Sequence, residues 1–340
     1  MKSKVGNILF LIRAFARVVP YALCSHWHSR TGPVPRKEAD IPRDFFGICV
    51  ATSDKPDCDT FIVKCLQELG VNCVRIDLST ASLPFTKRFL KRLFLEHYRV
   101  CLHLVQSIKE VKAFDNIEEQ THWRSFVAET LDSYGAKADF VEIGSTCNRH
   151  KWSGYTLQSY LQAWQIAWEE ANKRKIAIAG PNVTDFEPVY NIALLGEMQK
   201  TGALPLLQTD NLFVERAIEP EAFDHKILGR RLAGLVRFNL VRKAQLLNDI
   251  ASRAGVSGTV CSHVSWSLRR IARFAGQIEE KQADYLARYC CLAAASGALN
   301  RVYWGPLIGQ RACLILPGGQ GFGLVEISFL SSRANGDISQ

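Results

Sequence analysis

Val141-Glu142-Ile143-Gly144-Ser145-Thr146-Cys147-Asn148-Arg149-His150-Lys151-Trp152 reads as a short apolar strand running into a polar loop. Val260-Cys261-Ser262-His263-Val264-Ser265-Trp266-Ser267-Leu268 reads the same way. Working outward from these two, short β-type runs alternate with longer helical patterns from Phe45 onward, the signature of β/α units around a parallel sheet. Strands are expected over 45–51, 73–78, 99–105, 140–144, 176–179, 206–212, 259–264 and 301–304. Helices are expected over 59–69, 86–96, 118–134, 157–173, 188–200, 228–254 and 279–296. Eight such units predict an α/β fold, a (β/α)8 TIM barrel with an extra N-terminal helix. A doubly wound sheet is the competing arrangement, but no Gly-x-Gly-x-x-Gly follows the first strand.

Size agrees with one large barrel. The chain has 340 residues, 47% of them hydrophobic, which suffices for one substantial core. The expected division is 1–44 as an apolar N-terminal helix and linker, 45–330 as the barrel, and 331–340 as a tail. Residues 5–24 are apolar but interrupted by Arg13 and Arg17. A signal peptide, an interfacial helix and a helix packed on the barrel bottom all fit that pattern, whereas central arginines disfavour a membrane span. Lys and Arg total 42 against 33 Asp and Glu, a formal charge of +9. That excess suits an anionic glycan or membrane surface. Nucleic acid is not expected, because no zinc finger, helix-turn-helix or aromatic RNA-binding motif occurs. The 11 cysteines are odd in number and scattered through apolar runs, which suits a reducing, cytoplasmic place, and the apolar N-terminal run adds peripheral membrane contact as an expectation. No metal or other cofactor is expected: there is no Cys-x-x-Cys, and the chemically able ligands His103, His263, Asp185 and Asp210 lie on different strands with no His-x-His among them.

The order of strand-end motifs resembles that of the large glycosidase clan built on (β/α)8 barrels. The resemblance spans roughly 45–324. It includes 69–77 with Arg75, 143–148, Ile178-Ala179-Gly180-Pro181, Val264-Ser265-Trp266, and Val302-Tyr303-Trp304. It implies an acid/base Glu at position 146 and a nucleophile Glu at 263. Thr146 and His263 stand there instead, and Ser145 replaces a sugar-contacting Asn. Retaining hydrolysis needs two carboxyl groups, so ordinary retaining activity is not expected. The run Asn148-Arg149-His150-Lys151-Trp152 also resembles barrel proteins encoded beside lipopolysaccharide-core genes.

Barrel sites gather at the C-terminal strand ends. Thr146 and His263 are the lost catalytic positions, expected to face each other across the mouth, and His263 is either a base or a structural histidine. Asp185 and Asp210 are candidates for a displaced carboxylate pair, though Asp also serves as a turn former. If Thr146 points inward so does Glu142, by the two-residue period, where it would pair with an arginine such as Arg75. Arg75, Asn148, Arg149, Lys151, Trp152, Trp266, Tyr303 and Trp304 are expected to bind substrate, the tryptophans by stacking and the cations on phosphate or carboxylate. The function expected is binding or modifying a lipopolysaccharide-type glycan. Alternatives are an active hydrolase using displaced carboxylates and a membrane-surface protein scaffold.

Overall fold

Eight parallel strands pair in chain order and close on themselves, β8 lying against β1. They are β1 (Phe46–Val50), β2 (Cys73–Leu78), β3 (Arg99–Leu104), β4 (Phe140–Ile143), β5 (Ile178–Thr184), β6 (Leu207–Asn211), β7 (Gly258–Val264) and β8 (Arg301–Trp304). The computed structural model describes residues 41–213, 219–224, 238–308 and 314. Around the barrel lie α1 (Pro56–Glu68), α2 (Leu83–Leu95), α3 (Ile108–Lys112), α4 (Ile117–Thr130), α5 (His150–Ser153), α6 (Leu157–Arg174), α7 (Pro188–Lys200), α8 (Leu240–Ala254), α9 (Leu268–Ile271) and α10 (Ile278–Ala295). The expected (β/α)8 barrel is therefore the fold observed. The expected N-terminal helix, most of the linker and the tail fall outside the described residues. No helix among those described is long and apolar enough to cross a membrane.

Local signals explain where the helices begin. Pro56 opens α1 with Asp57 and Asp59 in its first turn, where acids complement the helix dipole. A reciprocal capping box between Thr156 and Ser159 starts α6. Asn239 caps α8 by accepting from the Arg242 amide, so this helix begins later than the 228 expected. β5 runs further than expected, to Thr184, because pairing with β6 resumes after a register shift between Pro181 and Val183.

The barrel interior is layered. At its N-terminal end, Arg99 and Arg301 are each paired with both Asp44 and Asp139. Above them Cys49, Cys73, Cys101, Phe140, Ala179, Val260 and Tyr303 form a compact apolar layer. Polar side chains occupy the layer above that. A larger apolar shell joins the outer face of the barrel to the helices.

Strand alternation corrects the expected aromatic cleft. Tyr303 points into the barrel and its hydroxyl meets Arg301 at 3.0 Å, well below the mouth. Trp304, the next residue, therefore points outward. It is 2% exposed and meets the ring of Tyr289 on α10 at 5.9 Å. Trp266 is 1% exposed and packs 4.4 Å from Tyr285 of the same helix. Neither tryptophan is placed to stack on a sugar. Trp304→Ala should thus lower unfolding free energy by about 3–5 kcal/mol, the usual cost of deleting a buried tryptophan, as read by urea denaturation; an unchanged midpoint would contradict this packing.

Candidate functional site

Inward positions of β2, β4, β5, β6 and β7 build a polar floor at the C-terminal end of the barrel. Arg75 donates through Nε to Glu142 at 2.7 Å, the pairing expected from the sequence. The other Glu142 oxygen accepts from Asn182 Nδ2 at 2.7 Å. Asn182 also holds the Thr146 backbone amide through Oδ1 at 2.8 Å and accepts from Asn211 Nδ2 at 3.0 Å. Ser262 donates to Asn211 Oδ1 at 3.2 Å. Five strands are thereby tied through fully hydrogen-bonded side chains, the arrangement a buried polar cluster needs. Thr146 and Asn182 both sit at left-handed φ, 53° and 55°. For a β-branched threonine that is a strained conformation, of the kind found at functional sites.

Asp77 and His103 stand on this floor. Asp77 accepts from Arg75 Nη1 at 3.1 Å and meets His103 Nδ1 at 2.8 Å, yet its side chain remains 63% exposed. The other His103 nitrogen reaches the Gly144 carbonyl at 2.6 Å. His263 closes the opposite side. A register shift between Cys261 and Val264 lets β7 turn both Ser262 and His263 toward the mouth. His263 Nε2 lies 3.1 Å from the Gly305 carbonyl, and its ring meets Phe213 edge-on at 5.4 Å. A carbonyl only accepts, so Nε2 carries the proton and Nδ1 keeps its lone pair. Burial, reinforced by the Arg75 charge, lowers the His263 pKa to about 4, so the imidazole is neutral at pH 7.

The carboxyl groups here are held as anions. Burial pushes Glu142 up, but Arg75, His103 and hydrogen bonds outweigh it and bring the pKa down to about 2. Asp77 is likewise held far below the usual carboxylate range: desolvation by the surrounding barrel mouth would raise it, but His103 and Arg75 outweigh that effect. The displaced pair expected from Asp185 and Asp210 does not form. Asp185 ion-pairs with Arg149 at 2.6 Å. Asp210 faces the helices, where it accepts from Asn191 Nδ2 at 3.1 Å and Gln208 Nε2 at 2.8 Å. No cation among the described residues offsets desolvation there, and burial lifts its pKa to about 8. The carboxyl poised to carry a proton is thus behind the sheet.

The remaining sequence candidates divide. Asn148 is a tie between loops: it donates to the Thr184 carbonyl at 2.8 Å and Glu187 at 3.0 Å, and accepts from the Thr184 amide at 2.8 Å. Arg149 is held by Asp185 and by Glu187, and Arg75 by Glu142 and Asp77. Two guanidinium groups thus face four carboxylates, and neither is available as a ready phosphate clamp. Lys151 and Trp152 are exposed on α5, and Trp152 is 60% exposed. Asn182, Asn211 and Ser262 carry much of the floor and have no sequence motif of their own; the two-residue period was the available signal for Asn211 and Ser262, while Asn182 enters through the β5 register shift. Among the described residues, no group of three or more His, Cys, Asp or Glu side chains could hold a metal ion.

A scan against protein-family models finds no match, and a search of curated proteins finds none. Solved structures share the fold. A family 39 glycoside hydrolase from the gut symbiont Bacteroides cellulosilyticus WH2 aligns with TM-score 0.66 at 12% identity, over 86% of this chain and 64% of that one. A glucosidase from Croceicoccus marinus gives 0.64 at 13%, over 86% and 68%. ZgEngAGH5_4, solved in complex with a cellotriose, gives 0.59 at 9%, over 87% and 98%. The chain is similar to these in fold, and spans less than two thirds of the first.

Two titrations test the electrostatics. Glu142 has a folded pKa below its ordinary 4.5, so its pairing stabilises the fold above pH 4.5 and that contribution fades as pH falls toward 2. Arg75→Met should cost about 3–5 kcal/mol at pH 7, since it leaves a buried charge unpaired, and less at pH 3, as read by chemical denaturation. Asp210 is the reverse case: its contribution is complete below pH 3.8 and lost as pH rises through about 8. Asp210→Asn should gain stability relative to the parent across that window; a constant difference from pH 4 to 9 would contradict the raised pKa.

Proposed function

We propose that this barrel binds a cell-envelope glycan at its C-terminal mouth without ordinary retaining hydrolysis. The observation that carries this reading is the state of Asp77 and Glu142. Glycoside cleavage needs a proton delivered to the leaving oxygen near the working pH. Both carboxyl groups of the floor are anions far below that pH. Thr146, where the resemblance puts the acid, has a hydroxyl 3.1 Å from Ser145 Oγ and no acidic proton to give. What remains is a set of acceptors and donors suited to sugar hydroxyls: the exposed Asp77 carboxylate and the His263 Nδ1.

The floor carries more carboxylate than guanidinium, which favours an uncharged, hydroxyl-rich part of the glycan there. Anionic groups of the same glycan would meet exposed cations such as Lys151. The lipopolysaccharide-type identity rests on the resemblance carried by 148–152. A cytoplasmic place is supported by the nine described cysteines, all free. A modifying activity is the second reading, favoured by one observation: His263 is neutral at pH 7 with Nδ1 available as a base.

Titration calorimetry with lipopolysaccharide-core oligosaccharides and neutral glucans tests the proposal. Asp77→Asn should weaken binding about tenfold or more, since a hydrogen bond to a charged group is worth about 1.5–3 kcal/mol. Prolonged incubation should release no reducing sugar. Binding that is indifferent to Asp77→Asn would overturn the site, and steady hydrolysis would overturn the non-hydrolytic reading. Product formation abolished by His263→Ala, with binding kept, would favour modification.

A further inference from the structure

Beside Asp77 the ends of β1, β2 and β3 and the first turn of α2 line an open-sided cavity of about 260 Å³. We infer that this cavity is a subsite for one uncharged sugar ring, an assignment that rests on the glycan reading above and adds the place and class of a bound unit. Its walls divide by chemistry. Ile76, Phe85 and Val105 offer apolar surface suited to the C–H face of a pyranose. Thr52, Ser79, Ser82 and Thr86 offer hydroxyls, and Asp77 offers a charged acceptor. A volume just below the ~300 Å³ where pockets for drug-sized ligands begin admits one ring rather than an oligosaccharide.

Two independent features point to a hydroxylic ligand. Ser82 occupies the N-cap of the 13-residue α2, but its side chain does not cap the helix. It is turned instead to Ser79, Oγ to Oγ at 3.0 Å, so amides of the first turn remain available to an incoming oxygen. The second feature is Thr86. It is 2% exposed and lines the cavity, yet its hydroxyl makes no hydrogen bond among the described residues. A ligand oxygen in the cavity would supply that hydroxyl a partner. An anion fits poorly, because Asp77 is itself anionic at the cavity wall. A sugar meets both demands: it donates to Asp77 and accepts from the helix amides and hydroxyls. Asp77 is shared between cavity and floor, so a ring in the cavity lies next to any ring on the floor, as successive units of one glycan would.

The test uses the full chain with glucose, galactose, mannose and N-acetylglucosamine, by saturation-transfer NMR, and the core oligosaccharide by calorimetry. Ala51→Trp fills the cavity from its rim without removing a hydrogen bond. It should abolish monosaccharide saturation transfer and weaken the oligosaccharide at least tenfold. Thr86→Val should weaken the monosaccharide about three- to tenfold, the range of one neutral hydrogen bond. The same change should leave the melting temperature unchanged, since it breaks no hydrogen bond of the fold, a result that a merely structural role for Thr86 would not produce. If Ala51→Trp binds the oligosaccharide as the parent does, the subsite is overturned while glycan binding at the mouth stands. If the parent binds no sugar in either assay, both readings fall.

Discussion

The Arg75–Glu142 ion pair is the constraint on which the mouth of this barrel depends. Glu142 is fully buried, and an isolated carboxylate there would be severely destabilising. Arg75 neutralises it from β2 while Asn182 satisfies it from β5. Because Asn182 also holds the Thr146 amide and meets Asn211, the position of the β4 loop and the order of the floor both follow from that one neutralised charge. Buried pairs of this kind contribute less to net stability than to fixing a single arrangement when every member is satisfied. The pair also sets the chemistry, since the guanidinium that stabilises Glu142 keeps it and Asp77 from acting as acids.

Charge is distributed differently from what the composition implies. The formal charge of +9 belongs to the whole chain, and eight basic against three acidic residues fall in 1–44. At the mouth the balance is reversed, with Arg75 and Arg149 outnumbered by Asp77, Glu142, Asp185 and Glu187. Net charge therefore acts at long range, while the short-range field of the cleft is set by its own carboxylates. The two statements concern different distances and do not conflict.

Small irregularities of the sheet aim the site. The register shift in β5 places Asn182 inward, and the shift in β7 brings Ser262 and His263 to the same side. A regular strand would have sent one of the two outward. Left-handed φ values at Thr146, Asn182 and Asp185 accompany these shifts. The strain they carry is held in place by the Asn182 hydrogen bonds rather than by local preference.

The β/α alternation, the strand positions and the inward Glu142 with its arginine partner were legible in the sequence, because hydrophobic periodicity and strand alternation are local properties. Tertiary structure alone decided the rest. Trp266 and Trp304 lie against α10 because α10 covers the outer faces of β7 and β8, and a strand-end position does not reveal which face a residue takes. Asp210 was separated from Asp185 by the same alternation. Arg75 and Arg149 ceased to be free cations once folding brought carboxylates from other strands beside them. Asn182 and His263 acquired their positions from bulges, and the unpartnered Thr86 hydroxyl from a cavity between three strands and a helix. Each of these depends on neighbours distant in the chain, and local sequence carries no record of them.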